Sequence, residues 1–191
     1  MNWNTKLFFF INRLSGKHWV LDAFGRAGAE WALFAMLGWL AVASYARYDH
    51  DSIQLITIAV SFMVVSVVGL LCSFLVAAVV REPRPYVRYP AETKLLFSSF
   101  LSWKSFPSDH SLAAFLIVGI AHCFGLPWVM PLLVLAVFVW LGRIFAGVHY
   151  PADVLAGIVL GALVLLVYGL VGLPLIQMSA PRVLEFWHSL A

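Results

Sequence analysis

Six side chains in this sequence could together hydrolyse a phosphate ester: Arg84, Ser108, His110, Arg143, His149 and Asp153. A phosphate ester offers an anionic group, an electrophilic phosphorus and a leaving oxygen. Its hydrolysis needs cations and N–H donors around the phosphoryl oxygens, a nucleophile in line and an acid for the leaving group. Arg84 and Arg143 can each grip phosphoryl oxygens with two parallel donors, which lysine cannot. Ser108 adds a hydroxyl beside the N–H groups of a helix that starts after Pro107. His149 can attack phosphorus if its far nitrogen is held in one tautomer, and Asp153, one turn into the next helix, is placed to hold it. His110 then serves as general acid and afterwards as general base for water. A histidine–carboxylate cluster can instead bind a metal, but only two histidines converge here and no cysteine joins them.

The residues that must carry these side chains are apolar. The 191-residue chain is 63% hydrophobic and only 11% charged, well outside the range of soluble domains. The pattern predicts an all-α, single-domain membrane bundle of five to six spans over residues 1–191. The spans fall at about 29–46, 53–80, 107–124, 127–145 and 151–176. Residues 3–25 read as a helix lying on the membrane surface, with Gly25 and Gly28 interrupting the pattern before the first span. The tail from Pro181 reads as a second surface helix. Eight tryptophans and six tyrosines suit interfacial belts. The apolar run Leu7–Ile11 is too short for a secretory leader. Cys72 and Cys123 lie inside apolar runs, and so few charges leave no footprint for nucleic acid.

Pro107 with Asp109 and Pro151 with Asp153 punctuate two helix starts in the same way. Proline fits the first turn and an acid suits the positive end of the dipole. Helix starts alone, however, do not require histidine and arginine at a membrane edge. The 81–106 and 142–151 connections are separated by two spans, so they lie on one side of the membrane. Arg84, His110, Arg143 and His149 can therefore meet in one pocket. Five spans put residues 1–28 on that side too, where Lys6, Arg13, Lys17 and Arg26 would label it cytoplasmic.

Arg84-Pro85, then Pro107-Ser108-Asp109-His110, then Arg143 with His149 and Asp153 in Gly-Val-His-Tyr-Pro-Ala-Asp resemble the three signature motifs of the type 2 phosphatidic acid phosphatase superfamily. The Asp of Pro-Ser-Asp-His and the run Phe10-Ile11-Asn12-Arg13-Leu14-Ser15-Gly16-Lys17 are most similar to the bacitracin-resistance type of undecaprenyl pyrophosphate phosphatase. The resemblance implies a phosphohistidine on His149 oriented by Asp153, His110 as acid, and Arg84, Ser108 and Arg143 as phosphate ligands. It implies no metal or other cofactor, and a multi-pass protein of the bacterial inner membrane acting at the outer face, against the raw positive-inside count. The sequence departs from the family twice. Ala77 stands where a lysine is frequent, and Arg81, one turn later, is the expected replacement as a substrate ligand. Asp109 stands where glycine is frequent, and it is expected to point away from a pyrophosphate or to contact a cation such as Arg81 or Arg88.

The expected substrate is a polyprenyl pyrophosphate, the alternative a glycerolipid phosphate such as phosphatidate or phosphatidylglycerol phosphate; membrane lipids surround either. A transporter would scatter polar residues through the depth of its spans, whereas here they gather at one face. A degenerate phosphatase kept for binding would have lost more of the motifs than Ala77 alone. His18, His50 and His188 read as surface residues and His122 as a packed one. Arg88, Lys94 and Lys104 read equally as headgroup contacts or as a solvated loop face, and Glu82 as a partner for a nearby arginine. Oligomeric state is not legible.

Overall fold

The computed structural model describes residues 2–97, 101–176 and 178. Helix α1 (Trp3–Asn12) is capped by Asn2, whose side chain accepts from the Thr5 N–H at 2.9 Å. Helix α2 (Trp19–Arg26) runs through a π turn (Ala27–Trp31) directly into α3 (Ala32–Tyr48). A short polar turn leads to α4 (Ser52–Val80), opened by Asp51 accepting from the Gln54 N–H and closed by Arg81 in the left-handed region at φ 47°. A four-residue helix α5 (Pro85–Arg88) follows, then α6 (Asp109–Cys123), α7 (Val129–Phe145), α8 (Pro151–Val167) and a second π turn (Tyr168–Gly172). Among the described residues no strand is present.

This is a polytopic helical bundle of a membrane protein. Three helical stretches are long and apolar enough to cross a bilayer: Trp19–Tyr48, Ser52–Arg88 and Pro151–Ile176. Helices α6 and α7 are apolar but shorter, at 15 and 17 residues. At the end away from the proposed site, the Tyr48 hydroxyl donates to the Phe124 carbonyl at 3.0 Å, tying α3 to the α6 terminus. At the site end, Asn12 donates to the Lys94 and Phe145 carbonyls and accepts from the Lys94 N–H, all at 2.8 Å. Helix α1 thus lies on the same face as the 81–106 and 142–151 connections, and it packs there through Phe8 against Tyr150 and Phe9 against Tyr89.

Three expectations change. The predicted surface helix over 3–25 is two pieces, and the second belongs to the first span. Gly25 and Gly28 do not interrupt a helix; they admit neighbours. A Cβ at Gly25 would sit 2.1 Å from the Phe145 ring, and one at Gly28 would sit 2.7 Å from the Phe138 carbonyl. In an apolar solvent, small residues of this kind let helix backbones close on one another. His122, expected to be packed, is exposed on the last turn of α6. The expected C-terminal surface helix and His188 lie outside the described residues.

The depth of the α6 start matters for the site. Ser73 of α4 hydrogen-bonds Asp109, the first residue of α6. Ser73 precedes the α4 terminus by two turns, so α6 begins about 10 Å below that terminus, from the 1.5 Å rise per residue. The polar N-terminus of α6 is therefore sunk into the bundle rather than held at its rim.

Candidate active site

Arg84 leaves α4 after the left-handed turn at Arg81 and caps α5. It is buried, and its donors are aimed inward: Nε to the Leu101 carbonyl at 2.7 Å and Nη1 to the Val148 carbonyl at 2.9 Å. The same Nη1 lies 3.0 Å from His149 Nε2. Because guanidinium can only donate, Nε2 is the acceptor and the ring proton belongs on Nδ1. Arg143, in the last turn of α7, is also buried. Its Nη1 donates to the Ala29 carbonyl at 2.8 Å, its guanidinium stands over the Phe97 ring, and its Nε has no protein partner. A buried donor of an always-charged group left without an acceptor fits an anion.

His149 sits between α7 and α8, after Gly147 at φ 82°, and is 2% exposed. Burial, and then the charges of Arg84, Arg143, His110 and Lys104, hold its pKa well below the ordinary imidazole value. It is a neutral ring among cations, the state a nucleophile needs. Nδ1 is 3.5 Å from Asp153 Oδ2, within reach but longer than a formed hydrogen bond. Asp153 is buried, and Oδ2 is fixed by the Tyr150 N–H at 2.8 Å and the Ser105 hydroxyl at 2.6 Å. Ser108, fully buried, caps α6 and accepts from the Ser111 hydroxyl at 3.0 Å. His110 is half-buried one residue into α6, within electrostatic reach of Arg143, Arg84 and Lys104.

The glycines at the helix crossings set these distances. A Cβ at Gly157 of α8 would lie 2.4 Å from the Ser108 carbonyl, and one at Gly142 would lie 2.7 Å from the Ala29 N. The first closeness brings the α6 N-terminus against α8, where the Ser108 N–H donates to the Asp153 carbonyl at 3.0 Å. The second seats Arg143 against the π turn.

The structure thus gathers Arg84, Ser108, His110, Arg143, His149 and Asp153 on one face. It does not bring Arg81 there. That side chain is exposed, and its Nε turns back to the Ala78 carbonyl of its own helix. Arg88 pairs with Glu82 at 2.8 Å on the surface, so neither arginine contacts Asp109. The cation that does is Lys104, at 2.7 Å, and it is buried rather than part of a solvated loop face. Sequence reasoning misses Ser105, and for Lys104 it leaves only a headgroup contact or a solvated face, because both precede the motif in a loop where any polar residue looks solvated. Among the described residues, no three His, Cys, Asp or Glu side chains gather in a way that could hold a metal ion.

Residues 52–172, from α4 through the second π turn, match the family model of the PAP2 superfamily. Over 164 residues the chain is 31% identical to the bacitracin transport permease protein BcrC of Bacillus licheniformis, covering 84% of this chain and 76% of that one. It is 29% identical to the undecaprenyl-diphosphatase BcrC of Bacillus subtilis (strain 168), covering 84% and 80%. Among solved structures it is similar to the crystal structure of Aquifex aeolicus LpxE, with a TM-score of 0.58, 25% identity, and coverage of 87% of this chain and 94% of that one.

Proposed function

The chain belongs to the PAP2 superfamily, and we propose that it is a membrane lipid phosphatase converting undecaprenyl pyrophosphate to undecaprenyl phosphate and inorganic phosphate. The observation that carries this reading is the neutral, buried His149 held between Arg84 on one nitrogen and Asp153 near the other, with Arg143 beside them. The terminal phosphate binds between the two guanidiniums and the α6 N-terminus, with Ser108 donating to an oxygen. Phosphoryl oxygens are stronger acceptors for Arg84 than imidazole is, so substrate draws the guanidinium off Nε2 and frees its lone pair. Nε2 attacks the terminal phosphorus as the bridging P–O bond breaks, and His110 protonates the departing undecaprenyl phosphate. Asp153 stabilises the imidazolium character that develops on His149. Water, activated by His110, then cleaves the P–N bond and releases phosphate.

The relative from Bacillus subtilis is named for this activity. The name of the Bacillus licheniformis relative speaks of transport, but here the buried charges gather at one face instead of lining a path. Glycerolipid phosphates remain the second reading for substrate, because a site built around one phosphoryl group accepts either. We infer that the protein works in the bacterial inner membrane with this face outward, the orientation that the resemblance implies.

The test is phosphate release by the purified protein from undecaprenyl pyrophosphate, phosphatidate and phosphatidylglycerol phosphate. Turnover is expected to be fastest with the first and to survive a chelator. His149→Ala should lower it by about 1,000-fold or more, as loss of a nucleophile does, and should abolish an acid-labile, alkali-stable phosphoprotein seen after rapid quench. Labelling that persists in His149→Ala would remove this residue from the role.

A further inference from the structure

Among the described residues, Lys104 is the one buried lysine or arginine that neither the motifs nor the mechanism above uses. Its side chain is 4% exposed, a position that an ammonium occupies only when its donors are matched. All three of its protons have acceptors in three different segments. Nζ reaches the Ser73 hydroxyl in α4 at 3.0 Å, the Pro107 carbonyl in the turn before Ser108 at 3.1 Å, and Asp109 Oδ1 at 2.7 Å. Ser73 in turn donates to the same Asp109 oxygen. Lys104 also acts electrostatically on His110 and His149, so it stands close to the reacting centre.

Asp109 is what requires this arrangement. It lies between Ser108 and His110, and its carboxylate is within electrostatic reach of both Arg84 and Arg143. An unpaired carboxylate there would occupy the guanidiniums and repel a substrate carrying several negative charges. Two donors, one from the loop and one from α4, instead draw Oδ1 toward α4. The bond to the Pro107 carbonyl fixes the turn that presents Ser108.

We propose that Lys104 is a positioning residue which, with Ser73, neutralises Asp109 and pins it to α4, so that the acid at the α6 N-terminus does not compete with the substrate's phosphate. The proposal rests on the phosphatase reading for its substrate but not for its geometry. It makes the damage from losing Lys104 conditional on Asp109. A lysine that gripped phosphate itself would not be rescued by loss of Asp109, and a pair that merely held the fold would not make Asp109→Asn bind orthophosphate more tightly.

The experiment is a double-mutant cycle on the full-length protein with Lys104→Met, Asp109→Asn and the pair. One readout is hydrolysis of undecaprenyl pyrophosphate in detergent micelles, the other orthophosphate binding by calorimetry. Lys104→Met should lower kcat/KM by about 100-fold, mainly through KM, as an uncompensated like charge beside an anion site does. Asp109→Asn should lower it by less than about 10-fold, and the double variant should recover to within about 10-fold of the parent. Orthophosphate affinity should be weakest in Lys104→Met and recover in the double variant, with Asp109→Asn tighter than the parent because the ammonium is left uncompensated. That comparison holds even if Lys104→Met does not fold. A double variant as impaired as Lys104→Met, an unaffected Lys104→Met, or weaker orthophosphate binding in Asp109→Asn would overturn the proposal. A parent that hydrolyses no lipid phosphate, yet shows the expected order of orthophosphate affinities, would instead overturn the phosphatase reading and leave this one standing.

Discussion

At the scale of single residues, the site is a set of buried polar groups whose partners decide what each can do. Asp153 illustrates this. The motif places it four positions after His149, but its orientation comes from Ser105, whose hydroxyl donates to Oδ2 at 2.6 Å while fully buried. Ser105→Ala removes one of the two hydrogen bonds on that oxygen and leaves the carboxylate freer to turn. Hydrogen bonds to charged groups contribute about 1.5–3 kcal/mol, so kcat should fall roughly 10- to 100-fold. KM should stay near the parent's, because Ser105 does not touch the phosphate. A change confined to KM would mean that Ser105 acts on substrate binding instead. Arg84, Ser108, His110, Arg143, His149 and Asp153 were legible because histidine and arginine are conspicuous against apolar spans. Ser73 and Ser105 were not, nor was the pairing of Lys104 with Asp109, because a serine in a span costs little and a lysine in a loop is ordinary; their roles exist only once distant segments meet.

At the scale of elements, the spans and their order follow from hydropathy, and the parity of the connections foretold which loops would share a face. What periodicity could not give is how closely the helices approach. Gly25 and Gly28 read as interruptions because glycine weakens an isolated helix, yet packing against Phe145 and Phe138 outweighs that local preference. Gly157 carries the functional case. A methyl group there would sit 2.4 Å from the Ser108 carbonyl and 3.1 Å from the Leu112 N, both backbone atoms that cannot swing aside. Gly157→Ala must therefore push α6 away from α8, lengthening the Ser108 N–H to Asp153 carbonyl bond. Overpacking of this kind costs about 1–3 kcal/mol, read as a lower thermal midpoint in detergent. Activity should fall further than stability, since the shift separates Ser108 from Asp153. A fully active Gly157→Ala would show that the crossing can open without disturbing the site.

At the scale of the whole molecule, charge is distributed unevenly between the two ends of the bundle, and this bears on where the reaction happens. The far end carries Arg47 beside Asp49 and Asp51, whereas the site end carries most of the lysines and arginines. A count of positive charge alone would turn the site end toward the cytoplasm. Many of those charges, however, are committed locally. Arg84, Lys104 and Arg143 are buried in the site, and Arg26 and Arg88 are paired with Glu30 and Glu82. Helix α1, which carries Lys6 and Arg13, is fastened to the site loops through Asn12. On the proposed reading these cations serve an anionic headgroup, and that role would account for their place without reference to topology. With the charge count discounted in this way, the resemblance sets the expectation that the site faces outward. In a background lacking Cys72 and Cys123, a membrane-impermeant maleimide added to intact cells should label Glu92→Cys, which is exposed on the site face, and should spare His50→Cys at the far end until the membrane is opened. The reverse pattern would put hydrolysis on the cytoplasmic side and make the charge count, rather than the resemblance, the better guide to orientation.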